Sequence, residues 1–218
     1  MRTLFPFIIV ALLLPLPAFG QEWALDRVDD VAELRATTDR RIDDGYTPVA
    51  LDISDELGLT VLYTRLASWD ADSYVIEELS TLDDLNELVT SRIREGWFPM
   101  DFSVGADANA LLFTSTADVV GGWRIVSAPR SSVEVQKTVS EYRAEGFTPM
   151  GISALDDDQL ALLLLDLPER EAPASMIMGV PTDPEEAVVG LQSMVADGWT
   201  PISITTIEDE MVVLFLQL

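Results

Sequence analysis

The sequence predicts an α+β protein built from four tandem βαββ repeats, each an antiparallel three-stranded sheet with one helix packed on one face. Three observations carry that expectation. A Gly-aromatic-x-Pro anchor recurs four times at near-constant spacing. A stretch of helical periodicity precedes each anchor, and two strand-like patterns follow it.

The anchors are Gly45-Tyr46-Thr47-Pro48, Gly96-Trp97-Phe98-Pro99, Gly146-Phe147-Thr148-Pro149 and Gly198-Trp199-Thr200-Pro201. Their glycines lie 51, 50 and 52 residues apart. A period of this length is the mark of a repeat architecture. Within each unit the first strand comes before the helix: Trp23–Val28, Tyr74–Ile76, Trp123–Val126 and Met176–Val180.

The helices follow. Leu85, Leu88, Val89 and Ile93 fall on one helical face in the second unit, and Val188, Leu191, Met194 and Val195 do so in the fourth. Ser131 with Glu134 and Thr182 with Glu185 have the spacing of capping boxes, and Pro184 suits a first turn, where its missing N–H costs little. Each anchor glycine then reads as the residue that ends a helix in the left-handed conformation, a steric role.

The strand after the glycine alternates. Val49, Leu51 and Ile53 are interleaved with Ala50, Asp52 and Ser54, and Met100, Phe102 and Val104 with Asp101 and Ser103. Ile202 and Ile204 alternate with Ser203 and Thr205. This pattern predicts one buried face and one polar face. A short acidic turn leads to a run that is apolar throughout: Leu59–Tyr63, Ala110–Phe113, Leu160–Leu165 and Met211–Leu216. Such runs read as strands buried on both faces.

The units are then residues 21–68, 69–120, 121–171 and 172–218, after a leader at residues 1–20. A lone three-stranded sheet with one helix leaves a face of its apolar strand uncovered, so neighbouring units must bury it. The charged, proline-flanked stretch Pro168–Pro173 reads as a flexible joint.

The leader carries Arg2, an apolar run from Leu4 to Leu16, and small residues Ala18 and Gly20 before Gln21. That is the composition of a secretory signal. It implies a periplasmic or extracellular protein with no membrane span after cleavage. No cysteine is present, so the fold holds by packing without disulfides. Acidic residues outnumber basic ones 38 to 13, and Lys137 is the only lysine. Such a surface repels nucleic acid and anionic lipid headgroups and attracts cationic partners, which points to an unknown protein or cell-envelope partner of cationic character.

With these units the chain resembles tandem βαββ repeats of secreted bacterial and fungal proteins, notably the repeat lobes of polyglycine hydrolases, whose anchors read Gly-Tyr-Arg-Pro. It is also similar to small bacterial domains of unknown function in which a helix ends in Gly-Trp before a hairpin. Residues 1–218 hold no counterpart of the serine-hydrolase domain that accompanies the first kind of lobe. Either resemblance implies an accessory or binding role.

Histidine is absent from the chain, which removes Ser-His-Asp and Cys-His catalysis and histidine-bound zinc. Glu134 stands where a serine would have to precede Lys137 in a Ser-Lys pair. No Gly-rich phosphate loop is found. The acidic turns Asp55-Glu56, Asp107, Asp156-Asp157-Asp158 and Glu208-Asp209-Glu210 lack calcium-loop spacing and read as solvated. Tyr46, Trp97, Phe147 and Trp199 read as buried packing residues, with stacking on a sugar as the other reading. The sequence therefore nominates no catalytic, cofactor-binding or metal residue. It suggests a non-enzymatic binding or scaffold module, against the alternative of a carboxylate-dependent hydrolase of polysaccharide or peptide.

Overall fold

The computed structural model describes residues 23–54, 58–65, 73–79, 81, 84–105, 109–116, 118–155, 158–181, 184–207 and 210–218. The leader, the capping box at Thr182 and most of the acidic turns lie outside these residues.

Four βαββ units are present. The first comprises β1 (Trp23–Val28), α1 (Val31–Asp43), β2 (Thr47–Ser54) and β3 (Gly58–Thr64). The second comprises β4 (Tyr74–Leu79), α2 (Leu85–Arg94), β5 (Trp97–Val104) and β6 (Asn109–Ser115). The third comprises β7 (Gly122–Pro129), α3 (Ser132–Ala144), β8 (Phe147–Ala154) and β9 (Gln159–Asp166). The fourth comprises β10 (Ala174–Pro181), α4 (Pro184–Ala196), β11 (Thr200–Ile207) and β12 (Glu210–Gln217). Every sheet is antiparallel with the apolar strand in the middle, in the orders β1-β3-β2, β4-β6-β5, β7-β9-β8 and β10-β12-β11.

The local chemistry accounts for these elements. All four anchor glycines have positive φ, from 82° to 95°, which ends each helix without the strain a Cβ would bring. Ser131 stands at the N-cap of α3, but its side chain makes no capping bond. The side-chain cap is in the first unit instead, where Asp30 Oδ1 accepts the Glu33 N–H and Glu33 Oε2 accepts the Asp29 N–H. The anchor prolines have no N–H to give the ladder. Immediately after each one the register slips, between Pro48 and Ala50, Pro99 and Asp101, Pro149 and Gly151, and Pro201 and Ser203. The skipped residues Val49, Met100, Met150 and Ile202 are fully buried. A bulge of this kind bends the strand and re-aims the side chains beyond it.

One face of each sheet takes its own helix. In the first unit Tyr63 and Thr38 share a buried hydroxyl–hydroxyl bond of 2.9 Å, and Arg41 forms a two-pronged ion pair with Asp26, both contacts 2.7 Å. The opposite face takes the unit before it. Tyr74 on β4 donates to the Arg35 carbonyl and the Asp39 carboxylate of α1, and Trp123 Nε1 on β7 donates to Thr90 of α2. Gln136 of α3 donates to the Ser175 carbonyl on β10.

The inner edge strands meet around an axis. β2 packs on β5, β5 on β8, β8 on β11, and β11 returns to β2. The four units therefore close into a ring, pinwheel fashion, each inner edge lying against the face of the next sheet. This is how the middle strands come to be buried on both sides: Leu160 to Leu165 have 3% exposure or less. The stretch after β9 is held in place. The Arg170 N–H closes a turn onto the Leu167 carbonyl, and its guanidinium contacts Asp118 at 2.8 Å. The stretch expected to be a flexible joint thus carries a turn bond and an ion pair to the preceding connection.

Candidate functional site

The axis gathers the residues that sequence alone assigns to a polar outer face. Counting from each anchor glycine, the fifth residue is Ala50, Asp101, Gly151 or Ser203, and the seventh is Asp52, Ser103, Ser153 or Thr205. All eight are buried. The bulge after the proline turns these positions away from the helix, and ring closure covers them. Their partners are the amides along the neighbouring inner edge, which have no strand to pair with. Backbone N–H groups buried without a partner are costly, so the next unit must supply acceptors.

It does so in two layers. In the outer layer the seventh residue caps the amide of the previous unit. Ser103 accepts from Ile53, Ser153 from Val104, Thr205 from Ala154 and Asp52 from Thr206, at 2.8–3.1 Å. In the inner layer Asp101 Oδ2 accepts from Leu51 at 3.0 Å, and Ser203 Oγ accepts from Ile152 at 2.8 Å. Gly151 has no side chain to offer Phe102, whose N–H turns to the Oδ1 of the adjacent Asp101 at 2.9 Å. Ser203 donates across the ring to the same Oδ1 at 2.8 Å, linking units two and four. A Cβ on Gly151 would stand 2.6 Å from that oxygen, so the glycine makes room for the carboxyl group.

Both axial carboxyls are shifted in the same direction. Burial pushes Asp101 well above the ordinary carboxylate range against its three donors, and the nearby Asp52 charge adds to the rise. Burial likewise raises Asp52 to about 6, opposed by its bonds to Thr206 and Thr205 and by the Arg27 charge. Two carboxyls with raised proton affinity are the usual raw material of acid–base chemistry. Here they are enclosed among the four inner strands, at 0% and 3% exposure, with no surface to offer a substrate.

An opening lies elsewhere, on the outer wall between α1 and β4. It is an open groove of about 340 Å³ lined by Asp39, Ile42, Asp43, Ser73 and Tyr74. Burial and the adjoining Asp39 carboxylate both push the Tyr74 hydroxyl upward, keeping it a donor. Among the described residues no cluster of three metal-ligating side chains occurs. No described helix is long and apolar enough to cross a membrane.

The anchor aromatics divide. Tyr46 is buried at 4% exposure, between the guanidinium groups of Arg41 and Arg65, which stand 5.5 and 4.1 Å from its ring centre. Trp97, Phe147 and Trp199 are half-buried against the core, so full burial holds only in the first unit. Phe147 meets Tyr142 edge-on, with Arg124 over its face at 4.6 Å. These contacts seat helix ends on sheets. The Asp158 carbonyl accepts from Arg130, while the rest of the third acidic turn lies outside the described residues.

Asp52 and Asp101 are the residues that period-two reading misplaces. One signal was present: the fifth and seventh positions hold only Ala, Gly, Ser, Thr and Asp, with none of the long charged side chains of a solvated strand. The fold and its axis define a closed ring of four βαββ units sealed by its own polar side chains. No known protein family matches the chain, and no curated protein matches it.

Proposed function

We propose that the protein is a non-enzymatic, exported scaffold module that binds a cationic partner in the periplasm or outside the cell. One observation carries this reading: among the described acidic residues only Asp52 and Asp101 are buried, and apart from partly covered ones such as Asp26 and Asp118 the described carboxylates are exposed on the outside of the ring. The chain carries a net charge of −25, so the ring presents a strongly negative wall. Such a wall steers and holds positively charged surfaces and rejects phosphate backbones. The leader composition supports export.

The test is affinity capture on the purified protein from the envelope and secreted fractions of its native host, at low and at high sodium chloride. The expected result is a basic partner retained in fixed stoichiometry at low salt and released at high salt, as for contacts between exposed charges. Hydrolysis of a polysaccharide or peptide by the purified protein, abolished by replacing a surface carboxylate pair, would establish the hydrolase reading instead.

A further inference from the structure

Three junctions of the ring continue through the chain, and the fourth does not. Units four and one meet only through side chains and backbone. At this seam the fifth-position residue is Ala50, which offers no acceptor to the Ile204 amide. The seventh is Asp52, where the other junctions have the neutral hydroxyls of Ser103, Ser153 and Thr205. Asp52, Thr60 and Arg27 stand side by side in register across β2, β3 and β1. The equivalent rows elsewhere are Ser103-Ala110-Glu78, Ser153-Ala161-Ser127 and Thr205-Val212-Gly179. The buried Thr60 hydroxyl makes no hydrogen bond among the described residues, leaving a polar group beside Asp52 that can donate or accept.

We propose that this seam is a proton-operated latch: the ring closes most firmly when Asp52 carries a proton and loosens between units four and one when Asp52 ionises. The charged groups facing it are Arg27 from β1 and Asp101 from β5. Thr60 of β3 and Thr205 and Thr206 of β11 bring hydroxyls to it, and the Tyr63 hydroxyl of β3 is engaged with Thr38 of α1. As a carboxylate, Asp52 is an acceptor only. With 3% exposure that charge has almost no water to solvate it, whereas the protonated group is neutral and still accepts from Thr206.

The direction follows from burial. In the closed ring Asp52 titrates near 6, against 3.8 when freed to solvent, so the open form releases its proton first. Closure is favoured fully below about 4, and that advantage is lost as pH rises through about 6. Between pH 5 and pH 7.5 the opening constant of the seam should rise about tenfold.

Amide hydrogen exchange on the full chain at those two pH values, corrected for intrinsic rates, reads this directly. Opening at the Thr206 amide should increase about tenfold, and at Ala154 and Val104, capped by neutral hydroxyls, by less than about threefold. Asp52→Asn should abolish the difference. Where that variant does not fold, Asp52→Ser gives the same reading with the side chain used at two other junctions. A parallel change at all three amides, as general charge repulsion would produce, overturns the latch. So does a Thr206 response that survives removal of the carboxyl group.

Discussion

At the scale of single residues, Gly151 and Asp101 form the tightest dependency in the molecule. Gly151 has ordinary backbone geometry, so nothing in its φ demands glycine. The demand comes from space: an added methyl would meet Asp101 Oδ1 at 2.6 Å and Leu163 Cβ at 3.1 Å. The Asp101 carboxyl has no freedom to yield, because three donors hold it. Gly151→Ala should therefore destabilise by about 1–3 kcal/mol, the usual cost of overpacking, as measured by urea denaturation. In an Asp101→Ser background, where the carboxyl is gone, the same change should cost clearly less. Strict additivity of the two substitutions would show that they do not share the axis. Gly96 has the opposite character, with φ at +90° and nothing within 4 Å of an added Cβ. Its role, helix termination, was legible from its place between a helical period and a strand. The role of Gly151 was not, because a steric need created by a residue 50 positions away leaves no local trace.

At the scale of elements, helices and strands emerge where periodicity and anchors place them, since both signals are local. Leu85 and Val89 of α2 are buried as its helical stripe requires, and the middle strands are covered on both faces. What periodicity misreads is the inner strand. Alternation separates apolar from polar positions, but it does not say whether the polar side meets water or another unit's unpaired edge. The proline bulge compounds the error by shifting Val49 out of the alternating set. The polar positions instead act as caps for open strand edges, which makes each hydroxyl a structural element. The junction between units two and three tests this, because Gly151 supplies nothing and Ser153 alone caps an edge amide there. Ser153→Ala leaves the part-buried Val104 N–H without its acceptor and should cost about 1 kcal/mol. Denaturant titration of that single variant decides it; a cost below about 0.3 kcal/mol would mean that the edge amides find other partners.

At the scale of the whole molecule, the number of units and their mutual burial could be read from a 50-residue period, but closure could not. Closure rests on which edge meets which face, and the same repeats could stack as an open arc or as two pairs. Cyclic packing of β2, β5, β8 and β11, with the Thr206–Asp52 bond spanning 154 positions, makes it a ring. A ring places the end of β12 in the same relation to β1 that the end of each unit has to the next. The connections between units run over residues 65–73, 116–121 and 167–173, that is 9, 6 and 7 residues. A circular permutant tests the ring most directly, with Leu218 joined to Trp23 through a flexible seven-residue linker and the chain opened between Thr64 and Tyr74. Its thermal unfolding should be a single cooperative transition of a monomer, within a few degrees of the parent chain. An arc would hold those termini too far apart for so short a linker, and a permutant that is unfolded, oligomeric or melts in separate steps would contradict the closed ring.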